Sequence, residues 1–242
     1  MNVVCLCPTY SARPAVLVGN SIACFEAQTH SNATLIVYDD TGHFRPTSGK
    51  RWRLESEAKR QPTLSEKYNR MVEMAGDVDA FIVWEDDDIY LPWHVEACVE
   101  ALKQGPWVHP ERVLSLYPGE PIEEPAAGRF HASLAFRRGA LAEIGGWPAT
   151  ARGDFDQQLI RNLGNRFGPP ADPCEHFPPS YVFRWASTGC PHGQSFMRSA
   201  ADEGWYERAA EQEPASGPRE VVPGMDRETS EIVARFKSDS QI

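Results

Sequence analysis

The densest chemistry in the chain is the run Glu85-Asp86-Asp87-Asp88, four consecutive carboxylates that directly follow the apolar segment Ala80-Phe81-Ile82-Val83-Trp84. Each carboxylate placed there sheds water beside a hydrophobic strand and repels the next. A divalent cation relieves both penalties. Mg²⁺ and Mn²⁺ take hard oxygen ligands and keep coordination positions for water and phosphate, so the cluster points to metal-assisted handling of a phosphorylated ligand. An acidic turn facing solvent is the competing reading of this run taken alone. A second acidic pair, Asp39-Asp40, closes another apolar run, Thr34-Leu35-Ile36-Val37-Tyr38. Two acidic strand ends favour a ligand, because ligands of open α/β sheets lie beyond the carboxyl ends of the strands.

The elements that must position these carboxylates are legible as alternating strands and helices. Val3-Val4-Cys5-Leu6-Cys7, stopped by Pro8, has the pattern of a strand buried on both faces. Residues from about Val16 to Ala27 have helical spacing, and the strand ending at Asp39-Asp40 follows. Strand, helix and strand in this order predict a parallel sheet. The basic stretch from Gly42 to Pro62 lacks apolar periodicity and is expected to be a loop. A helix is predicted from Thr63 through Met71 and Met74, then the strand leading into Glu85, then a helix bearing Val95, Cys98, Val99 and Leu102 with Pro92 in its first turn. Further on, strands are expected at Val113 to Tyr117 and Ala132 to Phe136, helices at Arg138 to Ile144 and Phe155 to Leu163, and a strand at Tyr181 to Trp185. Glu211 to Met225 is rich in Pro, Gly and Glu and reads as a linker or lid before a short amphipathic helix around Ile232, Val233 and Phe236.

Composition narrows the function classes. The 242 residues, 41 % hydrophobic and 24 % charged, are enough for one domain with a sizeable core and rule out a fibrous or wholly disordered chain. A net charge of −10 repels a phosphate backbone, so general nucleic-acid binding is not expected. The start of the sequence has no basic n-region, and no apolar run approaches bilayer length, so neither a signal peptide nor an integral membrane segment is expected. The six cysteines show no zinc-type spacing and read as reduced thiols of a cytoplasmic protein, with a Cys174–Cys190 bridge as the alternative.

Taken together, Pro8-Thr9-Tyr10, Gln28-Thr29, Tyr38-Asp39-Asp40-Thr41-Gly42, Leu64-Ser65-Glu66-Lys67-Tyr68-Asn69 and Glu85-Asp86-Asp87-Asp88-Ile89-Tyr90-Leu91-Pro92 resemble, in order and spacing, the family 2 nucleotide-diphosphosugar glycosyltransferases of the GT-A fold. The resemblance covers about the first 165 residues. It implies a Rossmann-like, mostly parallel central sheet flanked by helices, with a small mixed subregion on the acceptor side. One domain would occupy 1–210, with a nucleotide-sugar half (1–105) and an acceptor half (106–210), and 211–242 would form the linker or lid and its short helix.

Carried over residue by residue, the resemblance places Pro8, Thr9, Tyr10 and Asp40 around the nucleotide base, Lys67 or Arg70 near the diphosphate, and Asn69 as a side chain that fixes the pocket. Glu85 stands where the family has its first aspartate; it or Asp86 would reach the ribose, with Asp87 the leading metal ligand. Asp88 would be a second metal contact or the start of the following helix. Ile144-Gly145-Gly146-Trp147 resembles the family's Gly-Gly-aromatic turn, with Trp147 stacking on an acceptor sugar or plugging the core. In Gly153-Asp154-Phe155-Asp156, Asp156 matches the catalytic base in one register and Asp154 in the other. A carboxylate at a helix N-terminus is held in its charged, proton-accepting form. His192 would be a late metal ligand and Arg184 a diphosphate partner. The implied reaction is a Mn²⁺- or Mg²⁺-dependent, inverting transfer of a sugar from a nucleoside-diphosphate donor to an acceptor hydroxyl, in the cytoplasm or peripheral to a membrane. A nucleotidyltransferase and a noncatalytic nucleotide-sugar binding protein are the alternatives. Donor, acceptor and oligomeric state are not specified by the sequence.

Overall fold

The computed structural model describes residues 1–117, 120–150, 153–185 and 217–239. The chain opens with β1 (Val3–Thr9), α1 (Ala15–Glu26) and β2 (Ala33–Asp39), and β1 and β2 pair in parallel. Two short strands, β3 (Thr47–Ser48) and β4 (Trp52–Ser56), precede α2 (Leu64–Ala75) and β5 (Ala80–Val83), which pairs in parallel with the other edge of β1. Then come β6 (Ile89–Tyr90), α3 (His94–Gln104), β7 (Trp107–Val108), β8 (Arg112–Leu116) and β9 (Pro121–Pro125). The second half continues with β10 (Ala135–Arg137), α4 (Arg138–Glu143), α5 (Phe155–Phe167), β11 (Tyr181–Arg184) and α6 (Arg227–Asp239).

Among the described residues the main sheet has strand order β3-β4-β2-β1-β5-β10-β7. Its centre is parallel, while β10 runs antiparallel to both β5 and β7. Side chains of a strand alternate between faces, and β1 shows what that does here. Val3, Cys5 and Cys7 join the core beneath α1 and α3, whereas Val4 and Leu6 join the core beneath α2 and α5. A strand buried on both sides must be apolar throughout, which is why β1 reads as a continuous apolar run. It carries on through Pro8 because β5 pairs only as far as Leu6, so the missing proline N–H deprives no ladder on that side.

A second, mixed sheet has order β6-β11-β8-β9. Its first strand begins one residue after the acidic run, so the small sheet is tied directly to the end of β5. The architecture is the GT-A one: a Rossmann-like, mostly parallel sheet flanked by helices, with a smaller mixed sheet beside it.

Several local expectations need correction. The stretch 42–62 is not all loop: Trp52 and Leu54 are buried on alternate positions of β4, a period-two signal hidden among arginines and lysines. The strand expected over Ala132 to Phe136 is a 3₁₀ turn, His131–Ser133, followed by the short β10. The Pro/Gly/Glu-rich connection after β8 contains β9, an edge strand with proline at both ends, a position where a missing donor is tolerated. Beyond residue 216 the chain folds back onto the nucleus of the sheet. Val221, Ile232 and Val233 enter the core with α1 and α3, and the backbone passes so near Gly19 that a Cβ there would lie 2.4 Å from the Val222 carbonyl oxygen. No helix among the described residues is long and apolar enough to cross a membrane.

Candidate functional site

The carboxyl ends of β1, β2 and β5 meet at one end of the sheet, and each acidic side chain there is held by a different device. Asp39 is a loop organiser. It accepts from the backbone N–H groups of Thr41 (2.9 Å), His43 (2.7 Å) and Phe44 (2.9 Å) and from the Ser56 hydroxyl (2.8 Å). Asp40 turns the other way. It receives Lys67 Nζ at 2.5 Å, Arg60 Nη1 at 2.7 Å and the Gln61 N–H at 2.9 Å. Burial pushes the Asp40 carboxyl up, but Lys67 and Arg60 outweigh it and leave the pKa below its ordinary value. Lys67 is 1 % exposed and also donates to the Thr9 carbonyl, so it joins the ends of β1 and β2 from inside the protein. Burial lowers the ammonium's own pKa, with Asp40 opposing. Arg70, one helical turn on, is half-buried beside Glu57 and Glu73.

The acidic run lies at the end of β5. One oxygen from each of Glu85, Asp87 and Asp88 falls within 4.8 Å of the others, a spacing that fits one hard divalent cation. Asp87 and Asp88 are fully buried, and Glu85 is partly exposed. Asp88 also anchors the second sheet, accepting from the Tyr181 hydroxyl at 2.5 Å and the Arg184 N–H at 3.0 Å. Asp86 and Asp87 share a partner that sequence reasoning missed. Arg13, in the turn between β1 and α1, sets Nε 2.7 Å from Asp86 Oδ1 and Nη1 2.8 Å from Asp87 Oδ2. Burial pushes the Asp86 carboxyl up to about 6, with Arg13 opposing the rise and Asp87 adding to it. Tyr10 lies under the same guanidinium, its ring centroid 5.5 Å from Cζ.

The opposite wall is built around the Gly-Gly-Trp turn. Gly145 and Gly146 have φ of +82° and +84°, a region that admits glycine readily. Asn69 on α2 closes the turn: its amide donates to the Trp147 carbonyl (3.1 Å) and its oxygen accepts the Trp147 N–H (2.9 Å). Trp147 is 1 % exposed, stacks on Tyr68 with ring centroids 4.7 Å apart, and packs edge-on against Phe136. It therefore serves the core and presents no open face to a sugar. Its indole N–H donates to His131 Nε2 at 3.1 Å, which leaves the ring proton on Nδ1, 3.7 Å from Glu85 Oε1.

His131 also connects this wall to the helix bearing the two candidate bases. Burial lowers its pKa to about 4, and the charge of Asp156 opposes that shift. Asp156 lies in the first turn of α5 and accepts the Gln157 N–H at 2.7 Å. Asp154 sits at the N-cap position but accepts instead from the Gln158 side chain at 2.9 Å, with Arg161 3.8 Å away. Thus the structure brings Pro8, Thr9, Tyr10, Asp40, Glu85, Asp86, Asp87 and Asp88 to one end of the sheet, and the start of α5 adjoins that end through Phe155, whose ring centroid lies 5.4 Å from that of His131. The Arg184 guanidinium points instead toward Asp226 (3.9 Å) and Glu228 (3.7 Å) at the start of α6. His192 and Cys190 lie outside the described residues.

No family model matches the chain, and no curated protein matches it either. Solved structures do. The segment 1–349 of S. aureus TarS in complex with UDP-GlcNAc superposes with a TM-score of 0.59 at 12 % identity, covering 98 % of this chain and 72 % of that one. A second structure of the same TarS segment gives 0.58 at 10 % identity, covering 98 % and 71 %. The mannosyltransferase PcManGT from Pyrobaculum calidifontis, in complex with GDP-Man and Mn²⁺, gives 0.57 at 16 % identity, covering 90 % and 66 %. At these identities the likeness is one of fold.

Proposed function

We propose that the protein transfers a sugar from a nucleoside-diphosphate donor to an acceptor hydroxyl with inversion, using a divalent cation. The observation that carries this reading is the convergence of Glu85, Asp87 and Asp88 within 4.8 Å at the strand end where this fold leaves room for a ligand. Two structural neighbours of the same fold are complexes with sugar nucleotides, one of them also with Mn²⁺, which supports the donor class and the metal class together. Asp87 and Asp88, with Glu85, would hold Mn²⁺ or Mg²⁺, and the ion would supply charge neutralisation for the departing nucleotide. Pro8, Thr9, Tyr10 and Asp40 line the base pocket, and Asp86 or Glu85 takes the ribose. Lys67 braces that pocket from below. Asp156 accepts the proton of the attacking hydroxyl, with Asp154 as the other register; His192 remains a candidate late ligand. Attack opposite the leaving diphosphate inverts the anomeric carbon without a covalent sugar intermediate.

The test is product analysis with a panel of nucleoside-diphosphate sugars, with Mn²⁺ and with chelator. Release of free nucleoside diphosphate, abolished by chelator and by Asp87→Asn, is expected. Release of pyrophosphate from a nucleoside triphosphate and a sugar phosphate would instead make the protein a nucleotidyltransferase. Sugar-nucleotide binding with no turnover across a broad acceptor panel would make it a binding protein.

A further inference from the structure

Arg13 lies in a turn none of whose residues is exposed. Its side chain is 9 % exposed, and its planar fork divides between two carboxylates of the acidic run, Nε on Asp86 and Nη1 on Asp87. The turn that carries it is closed by the Arg13 N–H donating to the Tyr10 carbonyl at 3.0 Å, and Arg219 from the C-terminal segment donates to the Ser11 carbonyl within that turn at 2.5 Å. Burial of Asp86 and Asp87 without a cation is strongly unfavourable, and the guanidinium supplies the missing charge at ion-pair distance from both. A divalent cation on Asp87 would supply the same charge from a different direction.

We propose that Arg13 is a built-in counter-ion that competes with the divalent cation for Asp87 and moves to the donor diphosphate when metal and nucleotide bind together. This deepens the reading of the acidic run as a metal site and rests on it. A guanidinium pairs with phosphate oxygens in the same bidentate fashion as with carboxylates, so the exchange keeps Arg13 partnered in both states. Metal and diphosphate then favour each other's binding beyond their direct contact, because the nucleotide takes over the cation that opposes the metal. Metal alone binds weakly, and the acidic run stays charge-compensated when no donor is present.

The decisive measurement is Mn²⁺ binding to the nucleotide-free protein, read by electron paramagnetic resonance of the free ion. Arg13→Gln removes the charge and is expected to bind Mn²⁺ at least tenfold more tightly than the parent. Arg13→Lys keeps a cation and is expected to stay within threefold. Equal affinity of the parent and Arg13→Gln, or equal tightening by Gln and Lys, overturns the proposal. A second measurement needs no folded Gln variant. In the parent, the ¹⁵Nε–H resonance of Arg13, assigned by its absence in Arg13→Lys, should shift on addition of Mg²⁺ with UDP or GDP; a resonance unmoved at saturation overturns the proposal. Mn²⁺ and nucleotide binding by the parent with no effect of Arg13→Gln would sink the Arg13 exchange alone. Failure of the parent to bind either, together or apart, would also remove the functional reading beneath it.

Discussion

Lys67→Met tests whether the buried ion pair beneath the proposed nucleotide-base pocket supports both the fold and the pocket. The substitution retains an apolar stem of similar length and deletes an ammonium that bonds Asp40 at 2.5 Å and the Thr9 carbonyl. Asp40 keeps Arg60 and the Gln61 N–H, so its carboxylate is weakened in its contacts rather than abandoned. Loss of the charge-assisted bond costs about 2 kcal/mol and loss of the Thr9 bond about 1 kcal/mol. Their sum, about 3 kcal/mol, lowers the melting temperature of a chain this size by about 6–12 °C. The pH dependence follows from the lowered pKa of Asp40. A carboxylate depressed in the folded state contributes stability that is complete above its unfolded value, about 3.9, and is lost as pH falls through the lower folded value. The gap between variant and parent should therefore be full at pH 7 and narrow at pH 3. Thermal unfolding followed by circular dichroism at the two pH values measures it, and donor titration at pH 7 should show weaker binding. A melting temperature within 2 °C of the parent at pH 7, or a gap that widens in acid, would refute the reasoning.

Asp156→Asn preserves size and hydrogen bonding but cannot take a proton, so turnover should fall by about 10²–10⁴ with donor affinity and melting temperature near the parental values. Quenched-flow assays on Asp156→Asn and Asp154→Asn decide the register, and a collapse confined to Asp154→Asn would move the base. Asn69→Ala orphans the Trp147 N–H and C=O and should cost about 2–4 kcal/mol in denaturant unfolding, whereas a loss below 1 kcal/mol would show that the Gly-Gly-Trp turn holds without it.

What the sequence makes legible depends on whether a signal is local. β1, β2 and β5 are apolar runs closed by acidic residues, and α2 begins at Thr63, whose hydroxyl accepts the Glu66 N–H, a capping pattern visible in the spacing alone. β3, β4, β6 and β9 are two to five residues long and draw their existence from neighbours in the sheet, so their own residues announce little. The acidic cluster is equally readable as a list of side chains, but the allotment of roles within it is not. Nothing in Asp39-Asp40 says that one carboxylate faces backbone N–H groups while the next faces a lysine 27 positions on. Arg13 and His131 were invisible for the same reason: each is defined by partners that only the folded sheet brings near. The one available signal for Arg13 was its place as the basic residue of the turn after β1.

The manner in which these carboxylates are compensated separates scaffold from moving part. Asp39 is satisfied by three backbone N–H groups of its own loop, which cannot leave without unfolding it. Asp40 is held by a lysine that is itself sealed inside α2, and Asp88 by a tyrosine and a backbone N–H of β11. Each of those partners is fixed by a helix or a strand. Asp86 and Asp87 differ, since their guanidinium is borne on a four-residue turn and reaches them through a long side chain with several rotatable bonds. A site with the proposed function, admitting a cation and a diphosphate together, needs some compensating charge that can be withdrawn, and the fixed pairs cannot provide it. The immobile pairs therefore hold the ends of β1, β2 and β5 in register, and the charge that answers to ligand is concentrated on Arg13.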